Sequence, residues 1–314
     1  MNLIEEAVII EVFGIKVYAF GIYVALGALC AVATVFVLAN YCQLKKGTAE
    51  LTALLSGVCG LVFSRIAFCL LNQELGKLTP FHIWPQINSG GWSMFGLIGG
   101  VYIGGWISAR IQKEKSGTIL DILSIAILLL IAAERIGENR MDYFDISRTL
   151  DSSFLNGTFL AIGEDESYLA TYYIAAAVAV ILFIVLLVLS FKTGLDGGIT
   201  IRFLLLFGAA SIITESLRYD FFLSISFVGL QQIAAALMLT LGVCLAIIRS
   251  NRPKSVLSIA SIISLPLMVG IVIGLEFALD RTIWNKILIY CGMIIAVAVP
   301  AALGMILLSK QKGN

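Results

Sequence analysis

Apolar residues fall in long unbroken runs along this chain, each about the length a helix needs to cross a bilayer. A hydrocarbon core of about 30 Å takes roughly 20 residues at helical rise. On that measure nine runs qualify: 17–40, 51–71, 92–110, 118–135, 168–191, 199–217, 227–249, 256–276 and 284–308. The runs are continuous where a membrane-barrel strand would alternate, which argues for helices and against strands. The pattern predicts an all-α, polytopic integral membrane bundle of about nine transmembrane helices.

Polar positions between the runs set the orientation. Lys45, Lys46, Arg110, Lys113, Lys115, Lys192, Arg249, Arg252, Lys254, Lys310 and Lys312 occupy alternate connections and make up more than half of the chain's 21 Lys and Arg residues. The intervening connections carry Glu5, Glu6, Glu11, Glu74, an acid-rich stretch from Asp142 to Glu166, then Asp220, Glu276 and Asp280. Cations concentrate on the cytoplasmic side of short loops, so the alternation predicts the N-terminus outside and the C-terminus inside. Two outer segments are too long for turns. Residues 72–91 hold Pro80, Pro85, Trp84, Gly90 and Gly91, while 136–167 is polar and acidic; together they are expected to form a small extracytoplasmic cap. The N-terminal MNLIEEAVIIEV is acidic where a signal peptide is basic, so no cleavage is expected.

Composition supports the membrane assignment and removes other classes. The apolar set is 60% of residues, charged residues are 13%, and mean hydropathy is +0.99, against about 25% charged in a soluble domain. So few charges cannot cover a soluble surface of this size. Net charge is +1 with no basic stripe, which argues against a nucleic-acid partner. Cys30, Cys42, Cys59, Cys69, Cys244 and Cys291 lie in or beside apolar runs with no CxxC pair, and His82 is the single histidine. No metal site, disulfide framework or cofactor is expected from them. The absence of a visible internal repeat lowers the case for an inverted-repeat transporter.

The informative residues are ionisable groups at apolar depth. An arginine near a helix centre costs about 2.5–3.5 kcal/mol on insertion scales and needs a partner or a ligand. Arg65 lies within LTALLSGVCGLVFSRIAFCLL, Arg135 ends AILLLIAAERIGENR, and Arg218 ends GAASIITESLRYD. All three fall toward the outer side, and three guanidinium groups at one depth suit a phosphate. The alternative is structural: arginines at helix ends snorkel to headgroups, and Glu134, Glu138 and Glu215 are spaced to pair with Arg135 and Arg218.

At these residues the chain resembles the bacterial prolipoprotein diacylglyceryl transferase family. The family's Gly-Arg-x-Gly-Asn-Phe signature corresponds to Glu134-Arg135-Ile136-Gly137-Glu138-Asn139, and its Glu-Phe-Phe-Arg signature to Glu215-Ser216-Leu217-Arg218. Its Gly-Ala-Arg segment looks like Phe63-Ser64-Arg65. Its Ser-x-x-His-Gly-Gly-Leu-Ile-Gly loop resembles Trp92 to Gly100, and its Tyr-Gly-Leu motif resembles Phe20-Gly21-Ile22. Order and rough spacing agree over residues 15–250, which would form the family-like core, with 251–314 adding two helices. The chain departs at the loop histidine, where Met94 or Phe95 stands depending on the side from which the loop is aligned, and at the signature asparagine, replaced by Glu138.

The resemblance implies transfer of a diacylglyceryl group from phosphatidylglycerol, or another anionic phospholipid, to the lipobox cysteine in the signal peptide of a prolipoprotein. That is a step of lipoprotein biogenesis at the bacterial plasma membrane, and glycerol phosphate is released. It implies Arg135 and Arg218 as catalytic donors to the leaving phosphate, Glu138 as the base or as a counter-ion of Arg135, and a headgroup site formed by Arg65, Arg135, Arg218, Gly96 and Gly137. The competing reading is a catalytically degenerate lipid-binding or accessory protein on the same fold.

Overall fold

The computed structural model of the chain describes residues 8–12, 15–71, 92–140, 158, 160–162, 168–218, 224–225, 228–282 and 284–309. Among the described residues, nine helices are long and apolar enough to cross a membrane. They are α1 (Ala19–Tyr41), α2 (Thr48–Leu71), α3 (Met94–Gln112), α4 (Ser116–Gly137), α5 (Thr171–Thr193), α6 (Gly198–Ser216), α7 (Leu230–Ser250), α8 (Val256–Arg281) and α9 (Lys286–Ser309). The chain is a multi-pass helical membrane protein. His82, the whole of 72–91 and most of 141–167 lie outside the described residues, and the expected cap lies there with them.

Each helix coincides with one apolar run, and three differences have local causes. The first run begins with a strand: β1 (Val8–Val12) pairs antiparallel with β2 (Ile15–Tyr18), so α1 starts only at Ala19. Both strands are rich in Val and Ile, which favours strand pairing, and Glu11 is in register with Lys16. Two shorter antiparallel pairs follow: β3 (Ala161–Ile162) with β4 (Tyr168–Leu169), and β5 (Ser224–Ile225) with β6 (Val228–Gly229). The expectation of no strands therefore holds for the membrane spans and not for the segments between them. The third run begins at Met94, because Ser93 accepts the Gly96 N–H at 3.2 Å and caps α3. The eighth run continues to Arg281, so Glu276 and Asp280 are helical where the charge pattern put them in a loop.

The chain divides into two compact units, Met1–Ile199 and Thr200–Asn314. In the first unit α4 packs on α1, α3 and α5. Ile119, Ile122, Ile125, Leu128 and Ile131 of α4 are at most 2% exposed. Lipid tails offer no hydrophobic driving force between helices, so close approach at small residues carries the association. On α3, Gly96, Gly100 and Gly104 form a stripe four residues apart. A Cβ on Gly96 would lie 2.7 Å from the Phe63 carbonyl oxygen, and on Gly100 and Gly104 it would run into the carbonyls of Cys59 and Leu55. Descending steps of four on α2 against ascending steps on α3 define an antiparallel contact with backbones nearly touching. Gly27 brings α1 onto α4 in the same way, with a Cβ there 2.6 Å from that of Ala133.

One end of this unit gathers the cation-bearing connections. Lys45 Nζ donates to the carbonyls of Gln112 and Lys113 at 2.9 and 3.3 Å, and the Lys45 backbone N–H donates to Glu114 Oε1. Thr118 Oγ1 donates to the Leu195 carbonyl, and Asp121 accepts the Gly197 N–H at 2.7 Å. Three connections assigned to one membrane side by their lysines thus touch one another. In the second unit α9 packs on α8 and α7. Gly208 of α6 sits against α7, where a Cβ would lie 2.8 Å from Leu239 N.

Candidate functional site

The opposite end of the first unit collects the singled-out residues. Arg135 occupies the last turn of α4 and is 3% exposed. Its Nη1 donates to Glu138 Oε1 at 2.8 Å, its Nε lies 3.7 Å from Glu134 Oε2, and its Nη2 donates to Met94 Sδ at 3.3 Å. The helix ends at Gly137 and passes into a 3₁₀ turn, Glu138–Arg140, which places Glu138 beside Arg135. One guanidinium between two carboxylates leaves the trio with a formal charge of −1.

Arg65 lies in the last third of α2 and is 2% exposed. Its guanidinium lies over the rings of Phe68 and Trp92, at 5.6 and 5.8 Å from the centroids, within cation–π range. Ser64 Oγ donates to the Ser93 carbonyl at 2.8 Å, and the Ser93 N–H returns to the Ser64 carbonyl at 3.3 Å. Three consecutive residues thus join the two arginine-bearing helices: Trp92 covers Arg65, Ser93 is bonded to Ser64 and caps α3, and Met94 is the sulfur acceptor for Arg135. The sequence left Met94 and Phe95 as alternatives for the loop position at which the family carries histidine. Met94 contacts Arg135.

Gly137 lies against α1, where a Cβ would come within 3.0 Å of Tyr23 Cβ and 3.1 Å of Phe20 Cδ2. Gly96 lies against Phe63, Ser64 and Ala67 of α2. Both glycines, read from sequence as part of a headgroup site, are points of helix contact that bring Arg135 to α1 and Met94 to α2. Tyr172, at the start of α5, donates to Asn139 Oδ1 at 3.0 Å and ties down the turn that carries Glu138. Tyr23 and Tyr172 were not singled out in the sequence, and Trp92 was noted only as an interface residue at the start of the loop match. An aromatic residue at the start of an apolar run is a weak signal shared by all membrane helices.

Arg218 belongs to the second unit. Helix α6 ends at Ser216, and Arg218 follows in a turn in which its backbone N–H donates to the Glu215 carbonyl at 3.2 Å. The helix therefore ends two residues before Arg218. Arg218 is half-buried.

A family model for prolipoprotein diacylglyceryl transferase matches residues 7–275 of this chain. No curated protein matches it.

Proposed function

The chain belongs to the prolipoprotein diacylglyceryl transferase family, and from that premise we propose that it moves a diacylglyceryl group from phosphatidylglycerol to the lipobox cysteine of a prolipoprotein signal peptide, at the bacterial plasma membrane. The observation that carries this reading is the buried Arg135, held at the end of α4 by exchangeable partners inside the family's signature segment.

The chemistry asks for two things. The carbon–oxygen bond between the glyceryl group and phosphate breaks as the sulfur–carbon bond forms, and charge collects on the departing glycerol phosphate. A preorganised cation in a water-poor site stabilises that charge, and loss of one such donor typically costs about 10²–10³ in rate. Arg135 serves there, with its planar fork matched to phosphate oxygens. Arg65 supports the headgroup, and Arg218 takes its role from its signature. The thiol must also lose its proton, since the thiolate is the nucleophile. Glu138 accepts it. The incoming phosphate takes Arg135 from Glu138, and the carboxylate released beside the reacting centre becomes the base that the loop, with Met94 or Phe95 at the family's histidine position, does not supply.

The reading is tested by Arg135→Ala in purified protein reconstituted with phosphatidylglycerol and a lipobox peptide. Glycerol phosphate release is expected to fall by about 10²–10³. Wild-type turnover in that variant would remove Arg135 from the site.

A further inference from the structure

Unexplained by the transferase reading are α9, the end of α8 and the carboxylate buried there. Glu276 of α8 is 2% exposed in an apolar span, an expensive placement for an ionisable group. It is the first residue beyond the stretch matched by the family model. Glu276 Oε1 accepts from Gln232 Nε2 at 2.7 Å, and the same amide nitrogen donates to the Ile212 carbonyl of α6 at 3.3 Å. A primary amide has two N–H donors. Gln232, 4% exposed, uses its NH₂ group to join α6 to α8.

Helix α9 reaches the same helix end. Tyr290 donates its hydroxyl to the Ser216 carbonyl at 3.3 Å, and Ser216 Oγ lies 4.0 Å from Met293 Sδ. The last carbonyls of a helix lack intrahelical partners. Those of Ile213 and Glu215 accept from the Leu217 and Arg218 N–H groups, and that of Ser216 accepts from Tyr290. Thus α9 bonds directly to the final turn of α6, and α8 reaches the Ile212 carbonyl just before that turn through Gln232 of α7, close to the residues from which Arg218 emerges.

We propose that the C-terminal helices form a latch in which Tyr290, and Glu276 acting through Gln232, are positioning residues for the Arg218 segment. The proposal rests on the reading of Arg218 as a phosphate-contacting residue. Glu276 acts as a hydrogen-bond acceptor that orients Gln232, so glutamine in its place preserves the latch and leucine breaks it.

The test uses the full chain in detergent and has two arms. Hydrogen exchange at the Leu217 and Arg218 amides should quicken about fivefold in Tyr290→Phe and in Glu276→Leu, the effect of losing one buried hydrogen bond. Glu276→Gln should match wild type. In the second arm, kcat with phosphatidylglycerol micelles and a lipobox peptide, normalised to monodisperse protein, should fall severalfold in Tyr290→Phe with KM little changed, because misplacement of a donor used in the transition state appears in kcat. A purely structural role would lower the yield of folded protein and leave kcat as it was. Unchanged exchange in Tyr290→Phe overturns the latch, and faster exchange with unchanged kcat overturns its link to Arg218. Glu276→Gln behaving like Glu276→Leu overturns the acceptor role. Absence of glycerol phosphate release from wild type refutes the transferase reading instead, and the exchange arm still decides the latch.

Discussion

Replacement of Glu138 by glutamine separates the two things Glu138 is proposed to do. In the resting protein its carboxylate accepts from Arg135 at 2.8 Å, with the two side chains 12% and 4% exposed. A hydrogen bond to a charged partner is worth about 1.5–3 kcal/mol net, and a neutral one about 0.5–1.5. Phosphate that displaces Glu138 gives up the first quantity in wild type and the second in Glu138→Gln. The difference is about 1–1.5 kcal/mol, so the variant should bind an anionic phospholipid about fivefold to tenfold more tightly. Loss of a general base costs about 10²–10⁴ in rate, and the variant should be nearly inactive on the same lipid. Protonation of Glu138 in wild type should depress the rate as pH falls, and that acidic limb should be absent from whatever rate remains. The assays are titration of nanodisc-held protein with a short-chain phosphatidylglycerol and initial rates of glycerol phosphate release. Tighter binding with undiminished kcat would reduce Glu138 to a counter-ion of Arg135. Weaker binding would contradict the displacement step itself.

Other consequences are as direct. A cysteine at Ser152 should react with an impermeant maleimide in intact cells and one at Ser116 should not; the reverse pattern contradicts the orientation drawn from the lysines. Gly100→Val should cost about 2–3 kcal/mol, the upper range for overpacking, because the obstructing atoms are the Cys59 backbone and cannot rotate away; a lower melting temperature and loss of monodisperse protein report it. Arg218→Lys should retain less than about a tenth of kcat, since a point charge does not reproduce a bidentate fork. Full activity there would show that charge alone suffices.

The spans were legible because the bilayer sets a length, and every run that met it became a helix. The cation pattern was legible for the same reason, and Lys45, Lys113 and the 194–197 link meet as it implies. Side-chain partners across helices were not. Nothing in the order of residues says that Met94 rather than Phe95 turns toward Arg135, because that depends on where Ser93 caps α3. Gly96 entered through a local motif match, which does not show that Gly96, Gly100 and Gly104 recur four residues apart and face α2. Glu276 passed for a loop acid because its helix runs one turn past the apolar stretch. Its burial follows from Gln232, which is 44 residues away.

The central claim, that this chain is a working transferase although Met94 or Phe95 stands where the family's loop carries histidine, is tested most directly by product analysis. Purified wild-type protein with phosphatidylglycerol and a lipobox peptide should yield a peptide carrying a diacylglyceryl thioether on its cysteine, with one glycerol phosphate released per peptide modified. Lipid bound at Arg135 with neither product formed would contradict the claim and establish a lipid-binding protein on this fold.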